Sequence, residues 1–318
     1  QYGWNRTELA PMDTFWGSEA LGRGGDEANA FGIPARGEDI ISGDKDKGQY
    51  GLAFMSVIGE VEYGAFYSRY HETLPMLALD PDEDYSCDIF GDGSFPNCSS
   101  VFGLSQTWAE DQDMIGLSMA TTVGDWSVAA EASYRPDQAI WGDIIVKQYV
   151  NPDLTGPDAN TNIERHDTVH ASVNGIWLGG AIDWLGMDAQ VALVQVGVDT
   201  LSGDTSNLAL NSYNTRSTGV LTGTSKPDNE SYGAAVEWIG TWNMGSTAIN
   251  LDIFVSNDFS GTGHYFGNFA EGRTSFAGTV SATIASDFEA SISYAGMTFA
   301  DSDYEDQDTL ALSANYKF

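Results

Sequence analysis

Eleven stretches of this chain alternate polar and apolar residues with a period of two, and the connections between them alternate short and long. The stretches lie near 48–58, 61–71, 112–123, 126–136, 166–178, 187–198, 231–242, 246–256, 274–285, 288–298 and 308–318. Period two is the signature of β-strands whose two faces meet different surroundings. The short connections are Gly59-Glu60, Gly124-Asp125, the stretch about Asn243 to Gly245, and Ser286-Asp287, with Gly179 to Gly186 a longer version of the same kind. The long ones are about 7–47, 72–111, 137–165, 199–230, 257–273 and 299–307. An antiparallel meander with this sorting has every short turn at one end and every long loop at the other. An outer-membrane barrel is built that way, whereas a soluble sandwich has no reason to be.

The faces can be read strand by strand. In 126–134, Trp126, Val128, Ala130, Ala132 and Tyr134 oppose Ser127, Ala129, Glu131 and Ser133. In 274–284, Phe276, Val280, Ala282 and Ile284 oppose Ser275, Thr279, Ser281 and Thr283. The strand at 61–71 is ambiguous, with aromatics on both faces. The last eleven residues, D-T-L-A-L-S-A-N-Y-K-F, put Leu310, Leu312, Ala314, Tyr316 and Phe318 on one face. An alternating strand that closes on Phe318 with Tyr316 two residues earlier is the usual end of a bacterial outer-membrane barrel and its assembly signal. Residues 1–6 read as the tail of a further strand. The expected fold is therefore all-β, a transmembrane antiparallel up-and-down β-barrel of about 12 strands in one domain over 1–318. Its short turns would be periplasmic and its long loops extracellular.

On this reading the apolar face meets lipid and the polar face a lumen. The lumen-facing candidates are Glu131, Arg135, Asn174, Glu237, Asn250, Asp252, Glu289 and Lys317. Trp4, Tyr70, Trp126, Tyr134, Trp177, Trp238, Trp242 and Tyr316 fall near strand ends, where a girdle at the headgroup level would place them.

Composition agrees with a barrel. Mean hydropathy is -0.22. No run of about 18 apolar residues occurs, so no transmembrane helix is expected, yet a closed barrel spans a bilayer without one. Among the 318 residues, 36 are glycine and 12% aromatic. Lysine plus arginine number 13 against 46 Asp plus Glu, a net charge of -33. That charge excludes nucleic acid as a partner and fits solubility in salty surroundings. The chain starts at Gln1 and shows no signal peptide, which reads as a mature or trimmed protein.

Cys87 and Cys98 lie together in C-D-I-F-G-D-G-S-F-P-N-C. Two cysteines closing a small loop read as a disulfide formed in an oxidising compartment, and without nearby His they make a poor zinc site. Asp80, Asp82 and Asp84 copy the first three ligand positions of an EF-hand, but Tyr85 stands where the loop needs Gly and Gly91 where it needs Glu. The EF-hand is rejected, which leaves a looser loop-bound calcium beside the plainer reading of a solvated acidic loop. Asp301, Asp303, Glu305, Asp306 and Asp308 form a second acidic patch with the same two readings, and divalent ions bridging these loops to anionic outer-leaflet lipid are a third. His166 and His170 would share one strand face about 13 Å apart, too far for a common metal. No Gly-x-Ser-x-Gly motif appears and nothing ties a Ser, His and Asp together, so no enzymatic activity is expected.

Several phrases resemble the Gram-negative outer-membrane family catalogued as domain of unknown function 1302. They are Q-Y-G-W-N-R-T-E-L-A-P-M-D-T-F-W-G at the start, G-Q-Y-G-L-A at 48–53, Y-S-R-Y-H-E-T-L-P at 67–75, S-Y-R-P-D-Q at 133–138 and N-F-A-E-G-R at 268–273. They occur in the family's order over nearly the whole chain. Members of that family are usually longer, so the resemblance implies either the C-terminal part of a longer barrel or a shortened relative. It further implies an outer-membrane location and association with a periplasmic lipid-carrier-like protein and an inner-membrane permease. Outer-membrane lipid, lipopolysaccharide and the barrel assembly machinery would be the other partners. The expected role is passage of lipid-like or other hydrophobic small molecules. A cation-leaning diffusion porin, expected from the acidic composition, and a structural or surface-interaction barrel acting through its acidic loops are the alternatives.

Overall fold

Alternating strands with one apolar face pair with their chain neighbours when the turns between them are tight. A computed structural model of the chain describes residues 48–73, 76–79, 104–142, 163–206, 208, 227–264, 269–285, 287–299 and 308–317. Its strands are β1 (Tyr50–Ile58), β2 (Val61–Tyr70), β3 (Met76–Leu79), β4 (Leu104–Thr107), β5 (Gln112–Val123), β6 (Trp126–Trp141), β7 (Ile163–Gly179), β8 (Ala189–Leu201), β9 (Glu230–Met244), β10 (Thr247–Ser260), β11 (Arg273–Ile284), β12 (Phe288–Phe299) and β13 (Thr309–Tyr316). Eleven of them form one sheet in the order β1-β2-β5-β6-β7-β8-β9-β10-β11-β12-β13, and β3 pairs with β4 alone. Every pairing is antiparallel. The described residues include no α-helix, only the 3-10 turn Asp183–Leu185 between β7 and β8. Gly59 and Gly124 supply the positive φ, 65° and 61°, that tight hairpin turns require.

The alternation located the eleven sheet strands but not all of their ends. β6 runs on to Trp141 and β7 begins at Ile163, beyond the expected 136 and 166. A bulge between Arg135 and Gln138 shifts the parity there, and alternation cannot be followed across it. A second bulge between Asp258 and Ser260 has the same effect in β10. The stretch 72–111, expected as loop, contains the β3–β4 hairpin, whose four-residue strands are too short to show a period.

Among the described residues the buried apolar side chains, Met187 in the β7–β8 connection apart, gather at the long-connection end, where Met76, Ala109, Ala139 and Ile163 form one cluster and Ile140, Leu201 and Leu208 another. On the apolar face large side chains stand in the open, among them Leu52, Val173 and Leu312 at 73%, 53% and 76% exposure. Aromatic rings there lie over glycines of neighbouring strands. A Cβ at Gly175 would come within 3.1 Å of Trp126, and one at Gly296 within 2.6 Å of Phe276. Trp126 and Trp177 are cross-strand partners with ring centroids 6.4 Å apart.

Candidate functional site

The polar face is the candidate site, and register assembles it. Glu131 on β6 faces Ser118 on β5 and Ser172 on β7. Asn174 faces Ala129 and Gln195. Glu237 faces Leu193 and Phe254, diagonal to Asp252. Asn250 faces Thr241 and Ser281, Asp252 faces Thr279, and Glu289 faces Thr283 and Asn315. Following this parity from strand to strand puts Glu131, Arg135, Asn174, Glu237, Asn250, Asp252 and Glu289 on one face. Lys317 continues it one residue past β13. Hydroxyl and amide bonds stitch the face: Thr241 Oγ1 donates to Asn250 Oδ1 at 2.8 Å, Thr279 Oγ1 to Ser293 Oγ at 3.0 Å, and the Ser291 and Ser313 hydroxyls share a bond of 2.7 Å.

Two apolar patches interrupt this polar surface; the aromatics on both faces of 61–71 were the sequence sign of the first, and the second had none. On β1, Ala53, Met55 and Val57 share the face with Phe66 on β2 and Met114 on β5. Met55 and Val57 are 67% and 69% exposed. Since Leu52, Phe54 and Ile58 occupy the other side, β1 is apolar on both faces. Phe66 lies against Gly116 of β5, where a Cβ would be 1.9 Å from the ring. This settles the ambiguous second strand, with Phe66 on the polar face and Tyr67 on the apolar one. The second patch, Ile176, Leu178, Val191, Leu193 and Ile239, spans β7, β8 and β9 at the short-turn end.

The apolar face has a defined rim at each end. At the short-turn end stand Trp126, Trp177, Trp242 and Tyr316, with Trp242 Nε1 donating to the Leu185 carbonyl at 3.1 Å. At the other end four tyrosines each donate to a carboxylate: Tyr67 to Asp113, Tyr134 to Asp167, Tyr232 to Glu230 and Tyr294 to Asp308. Between the rims no described residue on this face is charged. Of the expected girdle, Tyr70 is a correction. It lies on the polar face opposite Gln112, beside Arg135 and Gln138, because its even position in β2 carries it to the side of Phe66.

The histidines do not converge on a metal. His166 Nδ1 lies 2.6 Å from the Ser202 carbonyl, and His170 Nδ1 lies 2.6 Å from Asp199 Oδ1. Among the described residues no group of three or more His, Cys, Asp or Glu could hold an ion. Cys87 and Cys98, the calcium candidates Asp80, Asp82 and Asp84, residues 1–6 with Trp4, and Phe318 lie outside the described residues.

These features define an all-β protein built on a single antiparallel up-and-down sheet with one polar and one apolar face. The chain belongs to the family described as protein of unknown function (DUF1302), whose profile matches residues 1–318. No curated protein matches the chain.

Proposed function

We propose that the sheet closes into a transmembrane barrel of the bacterial outer membrane and carries lipid-like or other small hydrophobic molecules along its inner, polar face. Closure is supported by solvent physics. An apolar face open to lipid cannot end in strand edges with unpaired amide and carbonyl groups. β1 and β13 are the two edges of the eleven-stranded sheet, and the strand read at residues 1–6 would bring the total to twelve. The height of the apolar band fits as well. From Trp126 to Tyr134 on β6, and from Tyr232 to Trp242 on β9, the chain advances eight and ten residues. At about 3.3 Å per residue and a tilt of about 40° this is roughly 20–25 Å, the height of a lipid-facing band.

The observation that carries the hydrophobic cargo is β1. A strand in a water-filled lumen has no reason to present Met55 and Val57 inward while Leu52 and Phe54 face outward. Cells expressing the chain should take up labelled long-chain fatty acid faster than cells without it, and Met55→Glu with Val57→Glu should remove the difference. Uptake equal in all three strains, with the barrel present in the outer membrane, would refute the cargo. A second reading, a cation-leaning porin, is favoured by Glu62, Glu131, Glu237, Asp252 and Glu289 on the inner face against Arg135, Arg273 and Lys317. Steady cation-selective conductance in a planar bilayer without fatty-acid uptake would favour it. A periplasmic lipid carrier and an inner-membrane permease are the partners the first reading calls for.

A further inference from the structure

The connection between β10 and β11 turns back over the polar face. Gly197 on β8 and Gly233 on β9 are cross-strand partners, and the side-chain positions of both point to that face. A Cβ at Gly233 would lie 2.5 Å from the Phe269 ring, and one at Gly197 3.2 Å from it. Neither glycine has a positive φ. What these positions use is therefore the missing side chain: together they make a flat seat for the ring.

The described residues of the connection, 261–264 and 269–272, are held on both sides. Thr262 N–H donates to Asp228 Oδ2 and Asp228 N–H to the Thr262 carbonyl, both at 2.8 Å. Gly263 N–H donates to the Phe269 carbonyl at 2.9 Å. Asp258 Oδ2 accepts from Ala270 N–H at 3.1 Å and from both Nε and Nη2 of Arg273 at 2.6 Å. Thr262, Ala270 and Asp258 are 5%, 2% and 6% exposed. A nearly buried ion pair in which two guanidinium nitrogens share one carboxylate oxygen, with backbone bonds on either side, does not swing freely with solvent.

We infer that Phe269, seated on Gly197 and Gly233, is a constriction near the long-loop mouth of the lumen and selects cargo by cross-section, admitting slender chain-like molecules and excluding bulky ones. This rests on the polar face being a lumen. Phe269 is a specificity-determining residue in that passage, and Asp258 and Arg273 position it.

Proteoliposome swelling in iso-osmotic arabinose, maltose and maltotriose, with KCl conductance in planar bilayers, tests the inference. Phe269→Ala should raise conductance about two-fold or more and admit a larger sugar. Gly233→Ala, whose methyl would lie 2.5 Å from the ring and push it off its seat into the passage, should act in the opposite direction, and the double variant should behave as Phe269→Ala alone. Identical conductance and size limit in wild type and Phe269→Ala, both folded by heat-modifiable migration, would overturn the constriction and leave the barrel standing. A wild-type chain with no heat-modifiable band would overturn the barrel and the constriction with it.

Discussion

The phenolic hydroxyl of Tyr134 on β6 donates to Asp167 Oδ2 on β7 at 2.9 Å, on the apolar side of the sheet and at its long-connection end. The pairing recurs with other strands at Tyr67, Tyr232 and Tyr294. Each ring keeps its apolar body over the band below while its polar tip meets a carboxylate above, the arrangement expected where hydrocarbon gives way to headgroups.

The two faces can be told apart with one charge. Val173 and Asn174 are consecutive on β7 and point to opposite sides. Val173→Arg should destabilise the fold by about 2–4 kcal/mol, because it buries a guanidinium in hydrocarbon. Asn174→Arg should stay within roughly 1 kcal/mol of wild type. The heat-modifiable fraction after folding into vesicles measures both, and equal yields would refute the assignment of the apolar face to lipid.

Breaking the Asp258–Arg273 pair should loosen the inward segment. Their side chains are 8% and 13% exposed, so Asp258→Asn leaves a guanidinium nearly buried without its counter-charge, a local cost of about 3–5 kcal/mol. Thermolysin should then cut between residues 261 and 272 faster than in wild type, with the cleavage site read by mass spectrometry. Unchanged cleavage would show that the backbone bonds alone hold the segment.

Acid should loosen the same segment through His264. Burial pushes its imidazole down from the ordinary 6.5 to about 4. Asp199 on β8 opposes this, while Arg135 on β6 and His166 and His170 on β7 reinforce it. The closed arrangement holds this ring neutral, whereas an opened one would bind a proton with the ordinary affinity. Closure therefore weakens as pH falls from about 6.5 towards 4 and changes no further below that. Exchange of the Gly263 amide should be faster at pH 5 than at pH 7.5 after correction for intrinsic rates, and His264→Phe should flatten the difference. A pH-independent ratio in the wild type would dispose of this mechanism.

Cys87 and Cys98 should be bridged. The unreduced chain should take up no alkylating reagent, and the reduced chain should take up two equivalents. Alkylation of both thiols before reduction would rule the bridge out.

Most of the sheet was legible because its two faces meet different surroundings over eight or more residues at a time. That contrast put Glu131, Asn174, Asp252 and Glu289 on one face before any register was known. Legibility failed where parity or range failed. The bulge after Arg135 hid the last third of β6, and β3 and β4 were too brief to alternate. Tyr70 was misassigned by its nearness to a strand end, since only its even position tells its face. The seat under Phe269 joins residues 36 and 72 positions away, beyond any local pattern. Isolated glycines at 197 and 233 within otherwise regular strands were the one trace of it.

Because each sheet strand pairs with its neighbours in the chain, with β3–β4 merely inserted between β2 and β5, the hairpin is the unit in which such a protein can change. Removing β11 and β12 together would bring β10 against β13 in the same antiparallel sense, with hydroxyls and amides still facing one way and aliphatic side chains the other. Removing one strand alone would turn β13 end for end. A sheet built on this plan can therefore gain or lose two strands at a time without redesigning any surviving strand.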